Sequence, residues 1–318
     1  MGRLTITAHG SRPAPTAMVL GSQPDIEVAG EAADGRAAVR LARECPADVM
    51  VSSARKAELA GEAYLMTDVL VQYSVDRGIA RIALDSPRNR NALSAALVDQ
   101  LNGALGDAEA DETVRAVELT HTGSTFCAGA DLTEARAGGM QEGTARLTAL
   151  LRRIVALGKP VVGSIDGHVR AGGLGLVGAC DIVLAGPAST FAFTEVRLGL
   201  APAMISLTTL PRLDPRAASR YFLTGETFDA ATAARIGLIT EAVDDIDAGT
   251  LAVLDALRSC SPQGLRETKP LLTATVLDGF DARASELASL SARLFGSAEA
   301  AEGMSAFLAK RPPSWLTE

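Results

Sequence analysis

From Asp68 onward, apolar and polar positions fall into short, regular runs. Val69-Leu70-Val71-Gln72-Tyr73-Ser74-Val75 and Ile79-Ala80-Arg81-Ile82-Ala83-Leu84 read as a strand pair that turns at Asp76-Arg77-Gly78. Residues 96–108 have the spacing of an amphipathic helix, with Ser94 placed as its N-cap. Ala116-Val117-Glu118-Leu119-Thr120 predicts a strand, and residues 143–156 a helix. Pro160-Val161-Val162-Gly163-Ser164-Ile165 predicts another strand, followed by an apolar helix over residues 172–179. Ile182-Val183-Leu184-Ala185 and Thr190-Phe191-Ala192-Phe193 read as short strands, and beyond Pro211 the chain reads as mostly helical to near Lys310. Repeated strand–strand–helix units followed by helices predict an α/β core with a helical C-terminal segment.

The first 66 residues differ in character. Residues 1–23 are rich in small residues and proline. Ile26-Glu27-Val28-Ala29 then alternates like a strand, residues 36–44 suit a helix, and Asp48-Val49-Met50-Val51 reads as a short buried strand. The expected organisation is an N-terminal extension over residues 1–66, an α/β core over 67–255 and a helical region over 256–318.

Composition narrows the function classes. Apolar residues make up 47% of the chain, enough for a sizeable core and against global disorder. A net charge of −8 argues against a nucleic-acid binder, which needs a basic face for phosphates. An anionic small ligand stays open, because local cations and helix N-termini matter more than net charge. Cys45, Cys127, Cys180 and Cys260 form no CxxC pair, and His9, His121 and His168 are far apart, so neither a disulfide framework nor a metal site is expected. The N-terminus lacks a long apolar signal core. The most apolar stretch, residues 161–185, is interrupted by Asp166, His168, Arg170 and Asp181, which argues against a membrane span. A cytoplasmic protein is the expectation.

Three stretches could carry chemistry. In Phe126-Cys127-Ala128-Gly129-Ala130-Asp131-Leu132, small residues let the backbone approach a ligand with its N–H groups outward, although a tight turn with Asp131 as a helix cap explains them too. Gly167-His168-Val169-Arg170-Ala171-Gly172-Gly173-Leu174-Gly175-Leu176 joins a strand to an apolar helix, whose first N–H groups are unpaired and suit a developing oxyanion. Close helix packing would equally call for these glycines. The third stretch, Phe193-Thr194-Glu195-Val196-Arg197-Leu198-Gly199, puts an acid at the end of an apolar strand. A carboxylate in an apolar pocket is suited to proton shuttling near neutral pH. An ion pair with Arg197 or a helix cap is the alternative.

Taken in order, these stretches resemble the crotonase superfamily of enoyl-CoA hydratases and isomerases over about residues 68–318. Arg90-Asn91-Ala92-Leu93 comes before them, Cys180-Asp181-Ile182 follows Gly172-Gly173, and the ending runs from Gly303 to Arg311. The resemblance implies a spiral of ββα units with a helical C-terminal trimerisation region, assembled as homotrimers or pairs of trimers. It implies an acyl-CoA thioester as substrate, with coenzyme A part of that substrate and no permanently bound cofactor. The backbone N–H groups of Ala130 and Gly172 would form the oxyanion hole, with Glu195 as acid and base. Arg90, Ala92, Ala128, Gly129, Asp131 and Leu132 would line the coenzyme site. Phe307 and Lys310 would lie on the C-terminal helix, which in many relatives closes over a coenzyme bound to a neighbouring subunit.

One departure matters. Typical hydratases carry two glutamates, and the position of the first falls here on Gly175, so half of the water-handling pair is missing. Hydration or double-bond isomerisation is the expected reaction, with an inactive acyl-CoA-binding protein as the alternative. A glutamate introduced at Gly175 is expected to fit beside the oxyanion hole and to raise hydration. His168 and Cys127 are poor substitutes for the lost acid. A second likeness lies at the other end of the chain. Residues 24–53 resemble a degenerate response-regulator receiver fragment, with Ser52-Ser53 where the phospho-accepting aspartate would stand and Thr7-Ala8 in place of the metal-holding acids.

Overall fold

The computed structural model describes residues 2–7, 26–32, 49–52, 64–65, 68–136 and 140–316. The chain divides into two compact units, Met1–Val69 and Leu70–Glu318. In the first, β1 (Gly2–Thr7), β2 (Ile26–Ala32), β3 (Val49–Ser52) and β4 (Tyr64–Leu65) form a sheet of order β2-β1-β3-β4. β1 is parallel to β2 and β3, and β4 is antiparallel to β3. The helix expected over 36–44 lies outside the described residues.

The second unit opens with the expected hairpin, β5 (Val71–Asp76) antiparallel to β6 (Ile79–Leu84), turning on Arg77 and Gly78 with positive φ. Helix α1 (Ala95–Ala110) begins at Ser94, whose hydroxyl accepts from Leu97 N. It buries Leu97, Leu101 and Leu105 as the 3.6-residue period requires.

Three strand pairs follow, and each divides its strands between two sheets. β7 (Ala116–His121), β9 (Val161–Ile165) and β11 (Ile182–Ala185) join the six-stranded sheet of order β14-β11-β9-β7-β6-β5. Their successors β8 (Thr125–Cys127), β10 (His168–Arg170) and β12 (Thr190–Ala192) join a four-stranded sheet of order β13-β12-β10-β8. The helices after these pairs are α2 (Leu132–Arg136) and α3 (Met140–Ala156) after the first, and α4 (Gly172–Ala179) after the second. A chain that repeatedly drops one strand into each sheet and then a helix is a mixed α/β fold with mostly parallel pairing. β8 and β10 run only three residues each, too short for a period to mark them in sequence.

The remainder is largely helical: α5 (Ser206–Thr209), α6 (Pro215–Thr224), α7 (Ala230–Arg235), α8 (Ile246–Arg258), α9 (Pro262–Phe295) and α10 (Ala298–Leu308). The short strands β13 (Phe228–Asp229) and β14 (Glu241–Ala242) interrupt them. Helix α9 is tied to the sheet by a buried ion pair, Lys269 Nζ to Asp181 Oδ2 at 2.8 Å. The same ammonium donates to Ile154 O and Lys159 O, and Asp181 accepts from Val161 N, so the desolvated charges are satisfied on both sides. No helix of the described residues is long and apolar enough to cross a membrane.

Candidate active site

Glu195 is not at a strand end, as its apolar approach suggested. It lies in the first turn of a short 3₁₀ helix, Thr194–Leu198, which starts two residues beyond β12 and is closed by Gly199 at φ +72°. Two backbone N–H groups, of Gly199 and Leu200, bond to the Glu195 carbonyl and fix the turn. The side chain is buried, and its Oε2 finds no hydrogen-bond partner among the described residues. The alternative ion pair does not form, because Arg197 Nε donates instead to Thr224 O. Burial pushes the Glu195 carboxyl up to about 7, against a smaller lowering by its own backbone N–H.

Ala130 and Gly172 are brought together by close backbone approach. Gly129 has φ +92°, and a Cβ there would lie 3.2 Å from Gly172 N and 2.9 Å from Ala171 Cβ. Any other residue would force the two segments apart. Gly172 opens α4, where the first N–H groups lack intrahelical acceptors. Leu93 N donates to Gly129 O, and Ala128 N donates to Arg90 O, so residues 90–93 are zipped along the same edge.

That edge depends on Asn91, which is fully buried with φ +51°. Its Oδ1 accepts from Ser86 N, and its Nδ2 donates to Thr122 O and Thr125 O. Asn91→Ala should lower stability by about 2 kcal/mol, since three backbone groups lose their partner. Thermal melts and coenzyme A titration should show both a lower midpoint and weaker binding.

A cavity of about 700 Å³ joins these parts, lined by Glu195, Ala130, Gly172, Arg90, Ala92, Ala128, Asp131, Leu132 and Phe307, among others. Gly129 and Lys310 are not in its wall: Gly129 acts behind it, and Lys310 is exposed with φ +51°. The C-terminal cation that does line it is the next residue, Arg311, held in a two-point pair with Glu302. Arg88 and Arg170, which were not singled out from sequence, also line the wall, as does Arg197, considered there only as an ion-pair partner of Glu195. Asp131 caps α2, as its turn reading suggested; partial burial raises its carboxyl, but bonds from Asn89, Thr133 and Glu134 outweigh this and leave it low. Phe307 lines the same chain's cavity. Helix α10 reaches it by lying against the Thr194–Leu198 turn, so closely that a Cβ on Gly303 would be 2.5 Å from Leu198 C.

The expectation for Gly175 is overturned. A Cβ there would meet Ile205 Cγ2 at 2.7 Å and Leu151 Cδ1 at 3.0 Å. Ile205, itself almost fully buried and part of the cavity wall, fills the room a first glutamate would need. Cys127 and His168 do not replace that acid. Burial pushes the Cys127 thiol up to about 12, and the exposed His168 ring bonds to Thr190 Oγ1.

Residues 74–318 match the family model described as enoyl-CoA hydratase/isomerase. A crystal structure of an enoyl-CoA hydratase from Mycobacterium avium is 55% identical with a TM-score of 0.74, covering 78% of this chain and 100% of that one. A Rhodobacter capsulatus protein named "Probable enoyl-CoA hydratase" is 34% identical, over 76% of this chain and 96% of its own. The crystal structure of carnitinyl-CoA hydratase from Mycobacterium avium is 28% identical with a TM-score of 0.70, covering 79% and 100%. These relatives bear the names of enzymes, and the inactive acyl-CoA-binding alternative finds no support among them. The chain belongs to the enoyl-CoA hydratase/isomerase family, as an enzyme of that family.

Proposed function

We propose that this enzyme moves a proton on an enoyl-CoA thioester, with Glu195 as its one acid and base. The thioester oxygen is held by the N–H groups of Ala130 and Gly172, where enolate charge develops. Glu195 takes the proton from one carbon of the acyl chain and returns it to another, shifting the double bond. Isomerisation is favoured over hydration by a single observation: Ile205 and Leu151 occupy the space beside Gly175. A second carboxylate to orient water has no room there. The relatives' names keep hydration as the second reading, in which Glu195 alone would both activate water and protonate the product.

Arg90, Ala92, Ala128, Asp131 and Leu132 run along the coenzyme in this reading, with Gly129 shaping the hole from behind. Phe307 covers the mouth, and Arg311 supplies the phosphate-binding charge expected of Lys310. No other cofactor is invoked, since coenzyme A arrives as part of the substrate. We place the enzyme in the cytoplasm as a homotrimer or pair of trimers. Leu271 and Leu272, exposed on α9, support an interface in the helical C-terminal region. The parallel order β2-β1-β3 is that of a doubly wound sheet and supports a receiver-derived head. Its missing acids argue against a phosphoswitch.

Mass spectrometry of a 2-enoyl- and 3-enoyl-CoA panel in deuterated water tests the reaction. Deuterium incorporation with double-bond migration, and little water addition to crotonyl-CoA, is the expected result. Fast water addition would establish the hydratase reading instead.

A further inference from the structure

The cavity wall is mostly apolar, with Leu93, Leu147, Leu200, Met204, Ile205 and Phe295 among its residues. Two buried hydroxyls break it. Thr144 on α3 and Ser291 on α9 both line the cavity, at 5% and 8% exposure, and their Oγ atoms lie 3.4 Å apart. That separation is long for a hydroxyl pair, whose preferred distance is about 2.7–2.8 Å, so each keeps capacity for a shorter bond. The neighbouring Ser289 satisfies its hydroxyl on the carbonyl four residues back, as helical serines commonly do, whereas Ser291 is turned across to Thr144.

Their position along the cavity follows from the helices. Leu147, one turn beyond Thr144 on α3, lies against the oxyanion-hole glycine, its Cδ2 3.7 Å from where a Cβ on Gly172 would be. The hydroxyl pair is therefore about one helical turn from the thioester position. It is buried, whereas Arg88 and Arg90, also in the cavity wall, are exposed. This places the pair beside the acyl chain, a few carbons beyond the thioester.

We infer that the acyl pocket selects a chain bearing a neutral oxygen substituent, a hydroxyl or oxo group, bonded by Thr144 and Ser291. A carboxylate is disfavoured. Arg146, on the same helix, pairs with Glu142, and Arg170, Arg197 and Arg311 are engaged by Thr190, Thr224 and Glu302. Among the described residues no cationic side chain bonds to either hydroxyl. A plain alkyl chain is also disfavoured, because it would bury the two hydroxyls while offering no partner beyond their one long mutual contact.

This inference rests on the acyl-CoA reading of the site, and binding measurements separate the two. Calorimetry on the full chain would compare saturated, unreactive thioesters: hexanoyl-CoA, hexanoyl-CoA carrying a hydroxyl or oxo group at C4, C5 or C6, and glutaryl-CoA. At least one oxygenated chain should bind about fivefold tighter than hexanoyl-CoA, within the range of a net hydrogen bond. Thr144→Val with Ser291→Ala should bring that ratio to about one, and Ser291→Ala alone should lower it if the double variant does not fold. Equal or tighter binding of hexanoyl-CoA by the natural protein, tightest binding of glutaryl-CoA, or a preference that survives the substitutions overturns the inference. Binding of no thioester at all would sink the acyl-CoA reading together with it.

Discussion

Replacing Glu195 by glutamine is expected to lower turnover by about 10²- to 10⁴-fold while coenzyme A affinity barely moves. The substitution keeps the shape of the side chain and removes its proton. Only the ionised form can take a proton from substrate, so with the carboxyl at about 7 the natural enzyme's rate should climb as pH rises through neutrality. Stability should move the other way. An unfolded glutamate ionises near 4.5, whereas the buried one keeps its proton to about 7. Between these values the folded state binds more protons than the unfolded, so this group's contribution falls as pH rises and is fully unfavourable above about 7. The difference corresponds to about 3 kcal/mol. Glu195→Gln escapes it, so the variant should melt higher than the natural protein at pH 8 and at nearly the same temperature at pH 4.5. Equal losses of binding and rate, with no gain in melting temperature at pH 8, would show a structural role instead.

The second large effect concerns the filled space beside α4. Gly175→Glu should be strongly destabilising rather than activating. Ile205 is branched and buried, so it cannot swing aside from a Cβ 2.7 Å away. Overpacking of this kind costs about 1–3 kcal/mol, and an unpaired buried carboxylate adds to it. Together these should lower the melting midpoint by about 10 °C for a unit of this size. Crotonyl-CoA hydration should not rise. Gly175→Glu with Ile205→Ala should recover part of the lost stability, because the smaller side chain vacates the collision. A single variant that melts like the natural protein and hydrates faster would show that Ile205 is not a plug.

Much of this unit was legible along the chain. The β5–β6 hairpin, α1 with its Ser94 cap, and α4 from Gly172 to Ala179 follow from local spacing and turn chemistry. The segments proposed to build the oxyanion hole also stood out as small residues at strand-to-helix junctions, although tight turns and close helix packing call for the same residues. What escaped was whatever depends on distant partners. Nothing near Gly175 announces Ile205, thirty residues on, as its neighbour. The Thr144–Ser291 pair joins positions 147 residues apart on two helices that read as ordinary. Glu195 was recognised by its apolar surroundings, yet its 3₁₀ turn was hidden, since a five-residue helix after a strand leaves no period to detect. At the C-terminus the family resemblance pointed to Lys310 on the last helix, but α10 ends at Leu308, and the left-handed turn at Lys310 beyond it puts Arg311 in the wall instead.

The seat of α10 against the Thr194–Leu198 turn has a kinetic meaning. Gly303 lets the helix backbone touch the backbone of Leu198, three residues from the acid, and Phe307 then reaches the cavity one turn farther along. With the roles proposed above, cover and base belong to one continuous polypeptide, so shutting the pocket would be a unimolecular event. Its effective concentration is set by the tether from α9 rather than by how many copies of the chain surround it. Because the two elements meet backbone to backbone at Gly303 and pack Leu198 against Ala300 and Met304, a shift of the proposed cover would be passed on to the turn that carries Glu195. In the proposed mechanism, closure around a ligand and alignment of the proton carrier would thereby be a single mechanical act.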